Sequence, residues 1–84
     1  MEETRNEQRI AIKLFGGLDR RVTPGVSRDG ADPHDVHSVR DILASLRLDV
    51  SAVGLILVNG LHAGVDTPVA AGDEVSLFPP VGGG

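Results

Sequence analysis

The chain has 84 residues, a formal net charge of −4 and no cysteine. That length fits one domain with a modest core and leaves little room for a deep cleft, and the missing thiols exclude disulfides, thiolate metal sites and a cysteine nucleophile. The acidic balance disfavours a phosphate backbone as partner, so no nucleic acid is expected.

Residues 1–8 are polar and read as a disordered N-terminus. The opening MEETRNEQR is charged and has no apolar run, unlike a signal peptide. No stretch approaches the roughly 18 apolar residues of a membrane span, so no membrane partner and a cytoplasmic location are expected. In Arg9–Phe15, Ile10, Ile12 and Leu14 recur at period two with Lys13 on the other side, which predicts a strand ended by Gly16-Gly17. Leu18 to Val22 reads as one helical turn or a loop. Pro24-Gly25 and Asp29-Gly30 are turn signals. A second strand is expected between Val26 and His37, on an edge or irregular because of Pro33.

The helix signal is clearer. Ser38 fits an N-cap, with Asp41 three residues later giving a start like a capping box. Val39, Ile42, Leu43 and Leu46 then follow at i, i+3, i+4 and i+7, one apolar stripe, with an end expected near Leu48-Asp49. Val53 to Val58 is nearly all apolar and predicts a strand buried on both faces in the middle of a sheet. Asn59-Gly60 predicts a tight hairpin turn, Leu61 to Val65 a short return, and Ala71-Gly72-Asp73 a turn into Glu74–Phe78. In that last strand Val75 and Leu77 face one way, and Ser76 and Phe78 the other. Without tryptophan or tyrosine the core has to be aliphatic. One helix and a mixed sheet predict an α+β domain with the helix on one sheet face.

The last ten residues, Val75 to Gly84, carry no charged side chain. A solvated end is usually polar, so this one is expected to go somewhere. Pro79-Pro80 stops the ladder and favours an extended chain leaving the domain. From Val81 to Gly84 the reach is about 13 Å, at roughly 3.3 Å per residue. Gly82, Gly83 and Gly84 have no Cβ and can thread a narrow channel, with the terminal carboxylate at the tip.

Asn59-Gly60, Gly72-Asp73-Glu74-Val75 and Phe78-Pro79-Pro80-Val81-Gly82-Gly83-Gly84, with Ser38-Val39-Arg40-Asp41-Ile42-Leu43 at the helix start, resemble the small subunits of molybdopterin synthase and the related thiamine sulfur carriers. The resemblance covers most of residues 38–84 plus the first strand. It departs in 18–37, and a third glycine precedes the usual final pair. It implies a ubiquitin-like β-grasp domain over 9–80, a mixed sheet packed on one main helix, with a flexible Gly-Gly tail at 81–84. It also implies a chemistry. A terminal carboxylate is ionised at neutral pH and resists nucleophiles. An ATP-dependent E1-like adenylyltransferase therefore joins it to AMP, and a sulfur donor then displaces the AMP. The thiocarboxylate at Gly84 donates its sulfur inside a second partner, the larger molybdopterin-synthase subunit. Phe78, Pro79, Pro80, Val81, Gly82 and Gly83 would bind the partners. The chain would not be catalytic alone and would bind no cofactor, ATP being used by the activating partner. Alternatives are sulfur donation for the thiamine thiazole, or a ubiquitin-like interaction module that is never thiolated.

Other residues carry weaker signals. Asp32-Pro33-His34-Asp35-Val36-His37 offers ligand types that zinc accepts, but it also reads as a solvated loop before a helix, and no metal is expected. His62 reads as a surface residue. Lys13 is the only lysine, which leaves lysine-linked chains little to use. Phe78, directed away from the helix-covered core, reads either as a partner anchor or as a cap on a small cluster with a loop residue.

Overall fold

The computed structural model describes residues 9–22 and 30–80. The expected frayed N-terminus at 1–8, the turn at Pro24-Gly25 and the tail at 81–84 lie outside the described residues. Within them the chain forms strand β1 (Ile10–Leu14), a short 3-10 turn (Leu18–Arg21), strand β2 (Gly30–Ala31), helix α1 (Val39–Leu46), a second 3-10 turn (Val50–Ala52), and strands β3 (Leu55–Val58), β4 (Leu61–Ala63) and β5 (Glu74–Phe78). The strands make one mixed sheet in the order β2-β1-β5-β3-β4. Strands β1 and β5 run parallel at its centre, with Ile12 opposite Val75 and Leu14 opposite Leu77. The other neighbours are antiparallel.

The apolar stripe of α1 is the heart of the core. Val39, Ile42, Leu43 and Leu46 are all fully buried, against Ile10 and Ile12 of β1, Ile56 of β3 and Val75 and Leu77 of β5. Burying side chains of this size stabilises by about 1.5–3 kcal/mol each. The turn at Leu18–Arg21 adds to this core, since Leu18 and, just after it, Val22 are buried. The buried positions of β1, β5 and α1 follow from the period-two and period-3.6 spacing of the sequence, whereas the burial of Leu18 and Val22 does not.

Three local expectations change. The first is the start of the helix. Ser38 adopts the extended cap conformation but makes no side-chain cap bond. The Val39 and Arg40 N–H groups donate instead to the carbonyls of Thr67 and Val65, at 3.1 and 2.7 Å. The loop before β5 therefore satisfies the open N–H groups that a cap would serve. Asp41 Oδ2 accepts the His37 N–H at 2.8 Å, one residue earlier than in a capping box.

The second is the helix end, which falls at Leu46 rather than near Leu48-Asp49. Arg47 turns left-handed at φ 59, its N–H donates to the Ala44 carbonyl, and the Leu48 N–H donates to the Leu43 carbonyl at 2.9 Å. That is a Schellman termination with arginine where glycine is usual, fastened by the burial of Leu48 in the core.

The third is the strand from Val53. Strand β3 lies next to the edge strand β4, β5 holds the centre, and only Ile56 of β3 is buried. One helix covers one sheet face, so Leu55 and Leu57, on the opposite face, remain half-buried. Strand β2 is a two-residue edge strand, as short and irregular as Pro33 suggests.

Candidate functional site

The turns around β5 are built by the residues that carry the resemblance. Asn59 and Gly60 both have positive φ, 55° and 81°, the pattern of a two-residue I′ hairpin turn. Asn59 Oδ1 accepts the Glu74 N–H at 2.9 Å, and the Asn59 N–H donates to the Glu74 carbonyl at 2.7 Å. Asp73 ties the next turn to the same place. Its Oδ1 accepts Asn59 Nδ2 at 3.1 Å and its Oδ2 accepts the Ala70 N–H at 2.8 Å. Gly72, at φ 88, allows the bend. Asn59-Gly60 and Gly72-Asp73-Glu74 thus form one latch that fixes where β5 begins and hence where it ends.

At that end, β5 delivers Phe78 to the sheet face opposite α1. Leu55 stands opposite Phe78, and Leu57 opposite Ser76. Phe78 is half-buried rather than fully exposed, because its ring stacks on Phe15 with centroids 4.5 Å apart and planes 7° from parallel. Phe15 is the loop residue after β1 and is 41% exposed. Phe15, Phe78, Leu55 and Leu57 therefore make an apolar patch on an otherwise polar face. Beside it Lys13 Nζ pairs with Glu74 Oε2 at 2.6 Å, both side chains substantially exposed. Leu55, Leu57 and Phe15 were not singled out in the sequence as site residues. The signal that finds them is the run of apolar residues in β3 on a face that no helix covers.

Pro79 and Pro80 follow directly. The Gly54 N–H donates to the Phe78 carbonyl at 2.8 Å, and the Phe15 N–H to the Leu77 carbonyl at 3.0 Å, so β5 is held on both sides up to the first proline. Val81, Gly82, Gly83 and Gly84 lie outside the described residues. The patch and the root of the tail are contiguous, so a partner resting on the patch meets the chain where residues 81–84 begin.

The loop before α1 does not gather a metal site. Among the described residues no group of three His, Cys, Asp or Glu side chains converges. His34 is turned onto Asp32, whose Oδ1 accepts its N–H at 2.9 Å and contacts its Nδ1 at 3.0 Å. Those bonds from His34 hold the Asp32 carboxyl below its ordinary range. His62 is exposed. Among the described residues no helix is long and apolar enough to cross a membrane.

The ThiS family model matches residues 12–84. Two crystal structures of small archaeal modifier protein 1 from Haloferax volcanii are similar to the chain. One shares 29% identity at a TM-score of 0.61, over 87% of this chain and 98% of that one. The other shares 30% identity at a TM-score of 0.63, over 90% of this chain and 99% of that one. No curated protein matches the chain. With a helix packed on one face of a mixed sheet whose parallel central pair ends at the tail, the chain is a ubiquitin-like β-grasp protein and belongs to the ThiS family of sulfur carriers.

Proposed function

We propose that the chain carries sulfur as a thiocarboxylate on Gly84 and donates it in the synthesis of molybdopterin, the pterin of molybdenum and tungsten cofactors, in the cytoplasm. The observation that carries this reading is the continuity of the apolar patch with an uncharged, glycine-ended tail. Phe15, Phe78, Leu55 and Leu57 offer a docking surface, Pro79 and Pro80 lead off from it, and Val81 to Gly84 end the sequence. An apolar docking surface contiguous with the tail suits a protein that supplies a reacting atom while its partners supply catalysis.

The Gly84 carboxylate attacks the α-phosphorus of ATP bound to an E1-like adenylyltransferase, and pyrophosphate leaves. A sulfide-level donor attacks the acyl carbon, AMP leaves, and a thiocarboxylate remains. In the larger molybdopterin-synthase subunit the thiocarboxylate sulfur attacks an electrophilic carbon of a pterin precursor and displaces an oxygen leaving group. Water then cleaves the acyl–sulfur bond, which restores the carboxylate and leaves the sulfur on the precursor. Gly82 and Gly83, having no Cβ, suit passage through a narrow channel in each partner. Phe-Pro-Pro-Val before the glycines favours the pterin over the thiamine thiazole. The test is transfer from the thiocarboxylate to each precursor with the matching partner. Sulfur consumption by the pterin-synthesis subunit supports the reading, and consumption only by the thiazole-forming enzyme moves the chain to thiamine synthesis.

A second reading rests on the likeness to small archaeal modifier protein 1. In it the Gly84 acyl adenylate, or a thioester formed from it, is attacked by an amine of another protein and an amide results. Lys13 is the only lysine of this chain, so the adducts would be single units unless Lys13 or the N-terminal amine served as acceptor. Ladders of adducts that survive Lys13→Arg and N-terminal blocking would contradict that form of the reading.

A further inference from the structure

Two glycines flank the root of the tail, one on each side of β5. Gly16 follows β1, and Gly54 precedes β3. Strand β5 pairs with β1 on one side and with β3 on the other, so Pro79 and Pro80 emerge between them. A Cβ on Gly54 would lie 2.4 Å from Pro80 Cα, 2.9 Å from Pro80 N and 3.0 Å from the Pro79 carbonyl oxygen, all backbone atoms. A Cβ on Gly16, which sits at φ +63, would lie 2.6 and 2.7 Å from Pro79 Cγ and Cδ. At these two positions the prolines occupy the space of the missing side chains. By contrast, a Cβ on Gly17, Gly60 or Gly64 would meet nothing within 4 Å.

We infer that Gly16 and Gly54 are positioning residues, a seat that fixes the direction in which residues 81–84 leave the domain and so sets the rate of chemistry at Gly84. The inference rests on the carrier reading for its link to chemistry, and on geometry alone for the seat. Proline fixes its own φ and the flanking hydrogen bonds hold Phe78, so the seat is where the trajectory is decided. Ordinary contact begins near 3.4 Å, so an alanine at position 54 displaces the Pro80 backbone by about 1 Å. A misplacement of about 1 Å costs up to the order of 10²-fold in rate, a ceiling here because the shift enters at Pro80, four residues before Gly84. The patch side chains of Phe15, Phe78, Leu55 and Leu57 are themselves unaltered by either substitution.

The experiment measures ATP–pyrophosphate exchange with the E1-like activating enzyme for the wild type, Gly54→Ala, Gly16→Ala, Pro79→Ala, Gly16→Ala with Pro79→Ala, and the double variant Pro79→Ala/Pro80→Ala. Folding is checked by the NMR amide spectrum. The expected result is a fall in kcat of up to about 10²-fold for Gly54→Ala with KM little changed, because the patch side chains are unaltered. The Gly16→Ala loss should shrink when Pro79→Ala removes the ring it strikes. Unchanged kcat in folded Gly54→Ala overturns the inference, as does a change confined to KM. If Gly54→Ala does not fold, Pro79→Ala/Pro80→Ala decides. It adds no Cβ against the seat and should lose kcat by loosening the trajectory, and wild-type kcat in it overturns the inference. Should the wild type itself not be adenylated, the carrier reading fails, and the seat is judged on the free protein. Residual dipolar couplings of the Val81 and Gly82 amides that differ between wild type and the folded variant then support it, and identical couplings overturn it.

Discussion

On the proposed carrier reading the reacting group is the backbone carboxylate of Gly84, so the informative changes add or remove residues. Extending the chain past Gly84, or deleting Gly83-Gly84, should abolish sulfur transfer and leave the melting curve unchanged. Transfer assays beside circular dichroism check both halves. Phe78 belongs to the surface instead. Phe78→Ala removes half of a stacked pair and should weaken partner binding by roughly tenfold or more, as aromatic anchors do, measured by titration calorimetry. Asp73 is structural. Asp73→Ala deletes the acceptors of Asn59 Nδ2 and the Ala70 N–H and should cost about 1–3 kcal/mol in urea unfolding. At this scale the motif was readable before its meaning was. Gly72-Asp73-Glu74-Val75 stands out in the sequence, yet its latch to Asn59 spans 14 residues and is fixed by sheet register, which local spacing does not encode.

The helix and the sheet differ in how far their patterns declare them. All four stripe residues of α1 are buried, because a 3.6-residue period admits one apolar face and only one sheet was available to receive it. Leu46→Ala should destabilise by about 2–5 kcal/mol in chemical denaturation, a large share of the 5–15 kcal/mol that small domains possess. The helix end was less readable, since Arg47 takes a left-handed conformation usually left to glycine, held there by buried Leu48. Strand β3 misleads for a physical reason. An apolar residue on an open sheet face has the same side chain as one under a helix, so Leu55 and Leu57 read as core. The patch is the remainder once one helix has covered one face.

For the whole molecule, reach sets the order of events. Four residues beyond Pro80 span at most about 13 Å, so the domain must sit beside any pocket that Gly84 enters. Both partners are then expected to use the same patch of Phe15, Phe78, Leu55 and Leu57. The larger pterin-synthesis subunit should compete with the activating enzyme for the carrier, and simultaneous binding of the two in a ternary complex would contradict this. The β-grasp was legible in the sequence because strand, helix and turn signals agreed with one another. The seat at Gly16 and Gly54 was not, since two glycines 38 positions apart in sequence become neighbours of one Pro-Pro pair only when β1 and β3 flank β5.

The most direct test of the account is to incubate the protein with its E1-like activating enzyme, ATP and a sulfide donor, and to weigh the product. The account predicts one oxygen-to-sulfur mass increase, located by fragmentation on Gly84 and dependent on ATP. An unchanged mass with an activating enzyme that adenylates its other carriers, or a sulfur atom found anywhere but the C-terminal glycine, would contradict it.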